Sequence, residues 1–341
     1  MRVDFGFSCG FVPGRIAEFS ALARQADGGG VAMVTTGDSS ALFGDVYVGM
    51  AAIALATEHC QVGCTVTNPL TRHPALAASS ASTVHEISGG RVALAIGTGD
   101  SAAYNLGFAP ATLGYLEAYI AAMRSLWDTG EAFWDGKPCK LNWTRRRVPI
   151  FMTPGGPKGL RLAGRIADGV IIEAGVLPDV IDDALAHLAS GAAEAGRRLE
   201  DIEVWWHLRA AFGPSREAAI HSIRGALAGM MNRLARFSGE GKSIPPELRG
   251  ALDELKARYD FLHHAQMSRS ADYNGDLLDA LGLTEYAADR FGMVGSPADW
   301  IAVVEALAER GVRRLFLPAL GPNPEVYLKV LTEEVVPKFR A

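Results

Sequence analysis

The sequence predicts an α/β protein: a (β/α)8 TIM barrel with a helical insertion after its seventh strand. Three observations predict it. Eight short apolar runs recur along the 341 residues, nearly all followed by a helical pattern. Such alternation implies a parallel sheet with helices packed outside it. Eight units match a closed barrel better than an open doubly wound sheet, and the chain length is ordinary for one such barrel carrying insertions. One stretch, residues 213–290, breaks the alternation: it is helical and polar, rich in Arg, His and Met, with Pro245-Pro246 in its middle. The chain is therefore read as one barrel over residues 1–341, with 213–290 as a lid on its mouth.

The elements follow in order. Residues 3–8 read as the first strand and 14–27 as an amphipathic helix. Strand 31–35 precedes helix 46–57, and strand 61–67 precedes helix 74–87. Pro74 opens that last helix, where its missing N–H costs nothing. Strand 92–96 and helix 113–127 follow. Strands 148–152, 169–172 and 202–208 alternate with helices 159–167 and 178–195. Past the insertion come helix 297–310, strand 314–318 and a closing helix at 324–339.

Composition narrows the function classes. A net charge of −5 argues against a nucleic-acid surface, which needs a basic stripe. No apolar run reaches the ~18 residues of a membrane span. The N-terminus MRVDFGFSCG reads as a strand and not as a leader, so a cytoplasmic protein is expected. Cys9, Cys60, Cys64 and Cys139 form no C-x-x-C and have no His pair nearby, so buried thiols are expected and no metal site.

Two glycine loops carry the chemistry. In ALAIGTGDSA, residues 93–102, Gly97, Thr98, Gly99 and Asp100 follow the fourth strand. The letters fit the dinucleotide fingerprint G-x-G-x-x-A. That motif, however, opens a helix at once after the first strand of its unit, and here Gly107 and Pro110 interrupt. In a barrel the same residues form the loop above strand four, where glycines admit a flat ligand close to the backbone and Asp100 points into the mouth. In FMTPGGPKG, residues 151–159, strand five runs through Gly155, Gly156 and Pro157 into a helix. The free N–H groups of that first turn make an anion site, with Lys158 beside it. Arg145-Arg146-Arg147 precedes strand five and belongs to the opposite end of the barrel.

Three segments resemble the bacterial luciferase-like flavin oxidoreductase superfamily, in particular its branch of methylenetetrahydromethanopterin reductases and other F420 enzymes. They are TVTNPLTRHPALAASSASTVHEISGGRVALAIGTGD (65–100), PGGPKGLRLAGRIADGVII (154–172) and DRFGMVGSPADWIAVVEALAERGVRRLFL (289–317). The resemblance implies a flavin across the barrel mouth. It implies that a bulge ending strand three, here Cys64, Thr65 and Val66, supports the ring from behind, with Thr65-Val66 the candidate for a non-prolyl cis peptide. The loop 97–100 would contact the ring. Gly155, Gly156 and Pro157 would hold the phosphate, helped by Glu173, Ala174, Gly175 and Val176 after strand six. F420 members often carry Asp-His after strand two, whereas this chain has Asp38-Ser39.

Asp38 and Asp100 are therefore candidate acids, each with the alternative of binding backbone amides. His207 ends strand seven, near the mouth, with Trp206 and Arg209. Ser39, Trp206, His263 and His264 are candidate substrate contacts. His73 opens a helix as a positioning or a surface residue, and His85 is structural. Two functions stand. The first is an FMN monooxygenase using reduced FMN from a separate flavin reductase, with O2, on a small organic substrate. The second is an F420-dependent hydride-transfer oxidoreductase. A non-catalytic flavin-binding barrel is a third reading. The resemblance also implies a homodimer.

Overall fold

The computed structural model describes residues 1–236, 241–260, 272–319 and 323–340. Its strands in chain order are β1 (Asp4–Ser8), β2 (Met33–Thr36), β3 (Gln61–Thr67), β4 (Val92–Ile96), β5 (Glu131–Trp134), β6 (Lys137–Lys140), β7 (Ile150–Met152), β8 (Gly169–Ile172), β9 (Glu203–His207), β10 (Arg209–Phe212), β11 (Gly292–Gly295) and β12 (Arg314–Pro318). Eight of them close a barrel in the order β1-β2-β3-β4-β7-β8-β9-β12, all neighbours parallel. These are the eight apolar runs, so the predicted barrel is the fold. The helices are α1 (Ile16–Gly28), α2 (Val46–Ala56), α3 (Pro74–Ile87), α4 (Ser101–Tyr104), α5 (Leu113–Thr129), α6 (Pro157–Ile166), α7 (Pro178–Glu194), α8 (Arg216–Ala235), α9 (Arg249–Arg258), α10 (Tyr273–Ala280), α11 (Thr284–Phe291), α12 (Pro297–Glu309) and α13 (Pro324–Val330).

The two-residue period of the strands divides the core in two. Met33, Ala93, Ala95, Phe151, Ile171, Trp205 and Phe316 point inward and fill the barrel as a solid plug. Their neighbours point outward against the helices, among them Val34, Leu94, Ile172, Trp206 and Leu315. The mouth therefore lies above a dry floor, at the strands' C-terminal ends.

Helix starts follow local chemistry. The Asp45 carboxylate accepts from the N–H groups of Tyr47 and Val48 at the start of α2. Ser296 and Asp299 cap α12 reciprocally. Helix α6 begins at Pro157, two residues earlier than expected, because proline's fixed φ suits the first helical position.

Two features escape the strand count. A hairpin, β5–β6, turns at Asp135 (φ 50) and Gly136 (φ 72) before the fifth barrel strand. The seventh barrel strand continues as β10, which pairs in parallel with β11. Between these two lie α8 to α11, which share a second hydrophobic core built on Ile223, Leu227, Met231, Leu255, Leu278 and Phe291. No helix among the described residues is long and apolar enough to cross a membrane.

Candidate active site

One side of the mouth is built from β1 to β4. The ladder between β3 and β4 shifts register between Cys64 and Thr67, and the Thr65-Val66 peptide is cis. Thr65 turns its hydroxyl inward: its Oγ1 lies 2.7 Å from Thr35 Oγ1 and 3.4 Å from Ser8 Oγ. The Cys64 side chain turns the other way. It is fully buried outside the barrel and donates to the Ala95 carbonyl, and burial pushes its thiol up to about 12. Cys64 thus contributes backbone to the bulge, while its sulfur is kept from the mouth by strand alternation. Gly97 faces Val66 and Thr153; a Cβ there would come within 3.1 Å of both. Gly99 has φ +100, which only glycine adopts cheaply. Thr98 is half-buried, and its carbonyl accepts from Ala111 N–H.

The anion side is the loop from β7 into α6. A Cβ on Gly155 would meet nothing within 4 Å, and one on Gly156 only Lys242 Cε at 3.6 Å. The cradle is open, and no side chain caps α6. Lys158 is exposed beside it. From the insertion comes Lys242, which the sequence did not single out. Its ammonium donates to the carbonyls of Leu234 (2.9 Å) and Arg236 (2.6 Å), leaving one N–H, and burial lowers it to about 8. Uncapped N–H groups and two ammonium groups fit the phosphate of a flavin-type cofactor.

Residues after β8 play a different part from the expected one. Glu173 is a buried carboxylate, and a second anion is no partner for a phosphate. It accepts from His207 Nδ1 at 2.8 Å and from Arg233. Ala174 lines the pocket beside Gly155 and Gly156. Gly175 (φ +105) and Val176 receive the end of the insertion: Val176 N–H donates to the Arg290 carbonyl, and Arg290 Nε to the Ala174 carbonyl.

The centre of the mouth is a charge network. Asp100 accepts from Arg233 Nη2 and from Arg236 Nη1, both at 2.8 Å. Arg233 lies in the last turn of α8 and Arg236 is the extended residue that ends it, so the end of this helix reaches across the mouth to strands four and six. Both carboxylates are thereby spoken for; the Arg233 guanidinium helps hold Glu173 far below the usual carboxylate range against the cost of its burial. Burial first, then Arg209, lowers His207 to about 4, so its ring is neutral at neutral pH. With Nδ1–H donating to Glu173, Nε2 carries the lone pair, 3.4 Å from Arg209 Nη1.

The remaining candidates divide. Trp206 is a correction: His207 and Trp205 face inward, so Trp206 faces outward into the helix layer and cannot touch a ligand in the mouth. Asp38 is held by Thr67 Oγ1 and Arg72 Nη1, both at 2.7 Å, and Arg72 bridges on to Asp45 at 2.8 Å. Ser39 is buried and accepts from Asn105 Nδ2 at 3.3 Å. His73 caps α3, accepting from Ala75 N–H at its Nδ1. His263 and His264 lie outside the described residues. Arg233 and Arg236, at the end of α8, were missed.

The mouth thus combines a closed parallel barrel, an uncapped helix start, a bulged strand end and a charge network under a helical cover. The profile of the luciferase-like monooxygenase family matches residues 3–314, and the chain belongs to that family. It is similar to a 5,10-methylenetetrahydromethanopterin reductase of Methanolobus tindarius, 29% identical, across 97% of this chain and 99% of that one. It is 27% identical to an F420-dependent glucose-6-phosphate dehydrogenase of Nakamurella multipartita over 86% of this chain and 81% of the other. Among solved structures, the coenzyme F420 dependent tetrahydromethanopterin reductase of Methanopyrus kandleri superposes with a TM-score of 0.74 at 22% identity, covering 99% of this chain and 100% of that one. The protein is an oxidoreductase enzyme.

Proposed function

We propose that the protein is an F420-dependent oxidoreductase moving a hydride to or from a small organic substrate. One observation carries this: the relatives it matches along most of both chains include enzymes named for F420. That reverses the order suggested by Asp38-Ser39, which had put FMN chemistry first. When bound, F420 supplies the carbon centre that takes or gives the hydride.

The chain does the rest. Gly155, Gly156, Lys158 and Lys242 hold the cofactor's phosphate. The bulge at Thr65-Val66, with Gly97 opposite, leaves room for a flat ring. The insertion excludes water. His207, neutral and oriented by Glu173, takes a substrate hydroxyl proton at Nε2 in the oxidative direction once Arg209, which donates to that atom in the free protein, turns to the substrate. FMN with O2 is the second reading, favoured by the absence of a histidine beside Asp38.

Titration of the purified protein with F420, FMN and reduced FMN tests the proposal. Tight F420 binding with weak FMN binding is expected. Gly156→Val abolishes it without unfolding the protein, because the extended backbone there (φ −163) suits any residue. Tighter binding of reduced FMN than of F420 establishes the second reading. Binding of neither removes both.

A further inference from the structure

Among the described residues the charges of the mouth do not balance. Arg209, Arg233 and Arg236 bring three guanidinium groups, Asp100 and Glu173 bring two carboxylates, and His207 is neutral. Arg233 and Arg236 take up both carboxylates. Among the described residues no carboxylate pairs with Arg209, and its buried Nε has no hydrogen-bond partner. Among the described residues its one side-chain hydrogen bond is the long one to His207 Nε2. Burial pulls Arg209 down to about 10, so it stays charged at neutral pH. Next to Arg233 on α8, Asn232 also holds a buried Nδ2 without a partner. A half-buried cation with an unused donor is unfavourable in the free protein, and such a group calls for an explanation.

We infer that the mouth is built for a substrate bearing an anionic group, a carboxylate or a phosphate monoester, which Arg209 binds beside His207. The guanidinium fork matches the paired oxygens of either group. His207 ends β9 and Arg209 opens β10, and the 3.4 Å contact between their side chains puts them side by side in the mouth. An anion on Arg209 places the neighbouring carbons of the substrate next to Nε2, the atom that takes the proton. The cofactor's phosphate has its own donors in the loop after β7, so Arg209 remains for the substrate. The placement beside the reacting carbon rests on the proposed function; the anion site does not.

Calorimetric titration and thermal melting with sodium phosphate and sodium malonate, against sodium chloride at equal ionic strength, test this in the cofactor-free protein. The variants are Arg209→Met, Arg209→Lys and Gly156→Val. Wild type is expected to bind at least one probe and to melt higher in its presence. Arg209→Met weakens that binding about 30-fold or more. It melts no lower than wild type, since an unpaired charge has gone. Arg209→Lys retains part of the affinity, and Gly156→Val leaves a binding event intact. The stronger probe names the group, carboxylate or phosphate. Unchanged binding in Arg209→Met, or loss of all binding in Gly156→Val, overturns the inference. A lower melting point for both Arg209 variants with probe binding retained does so too, by showing a structural residue. An F420 titration run in parallel separates the two readings: anion binding lost with Arg209, in a protein that ignores F420, sinks the cofactor and spares the site.

Discussion

Two arginine–carboxylate networks flank the barrel mouth, and they are built to opposite ends. On the β2–β3 side one guanidinium, Arg72, serves two carboxylates, Asp38 and Asp45, with Thr67 completing the shell of Asp38. Its members also cap α2 through Asp45 and stack Arg72 over Tyr47. Thr67 and Arg72 meet on one oxygen of Asp38, and the network ties the loop after β3 to the start of α2. On the β4–β8–β9 side three guanidinium groups face two carboxylates, and one of the three stays unpaired among the described residues. In the first network every guanidinium has a carboxylate. In the second, by our inference, a ligand supplies the missing anion. Similar residue types thus make a clasp in one place and a receptor in the other, and the charge balance separates them.

Breaking that contrast at its strongest point means removing Glu173. Glu173→Ala leaves Arg233 to Asp100 alone and takes the Nδ1 acceptor from His207; the loss of a buried ion-pair partner costs about 3 kcal/mol. Urea unfolding reads it directly, and a loss below about 1 kcal/mol would mean that water already screens the pair. Asp100→Asn keeps the shape but weakens the hold on Arg233 and Arg236. Turnover is expected to fall by up to about 100-fold through mispositioning, with F420 affinity unchanged. Equal losses in turnover and affinity would move Asp100 into the cofactor cradle.

Acid sharpens the same comparison. His207 titrates at about 4 in the folded chain, below its ordinary 6.5. The unfolded chain therefore takes up the proton first as pH falls. Stability is full above about 6.5 and declines toward 4, at roughly 1.4 kcal/mol per pH unit for one proton. His207→Asn flattens this stretch of the stability–pH curve. The smallest effect belongs to the clasp: Asp38→Asn costs about 1 kcal/mol, because Arg72 keeps Asp45, and turnover holds. A large loss of turnover in Asp38→Asn would erase the distinction between the two networks.

The barrel was legible because its signal is repetitive. Eight apolar runs, each buried on both faces, leave the same mark whatever lies between them. The β5–β6 hairpin was legible too, in Trp134-Asp135-Gly136-Lys137, since Asp-Gly favours the two-residue turn with positive φ. It was passed over because β6 is exposed and carries no apolar alternation. The site was half legible. Glycines at strand ends declare themselves through backbone need, so Gly97, Gly99, Gly155 and Gly156 were found. Trp206 went wrong because proximity to the strand end was read without its parity. Arg233, Arg236 and Lys242 reach the mouth from the end of α8 and the segment after it, far along the chain, and no local pattern states which strand ends they will meet.

The insertion leaves the barrel along β10 and returns along β11, and the two lie side by side from Arg209↔Gly292 to Phe212↔Gly295. Its ends are thus joined at one short ladder, so the stretch between them can be exchanged by recombination without reopening the barrel wall. Such an exchange would carry Arg233, Arg236 and Lys242 as one block and leave Arg209, His207 and the glycine loop behind. A descendant acquiring a new cover by that route would change its choice of substrate and its grip on the cofactor in a single genetic event.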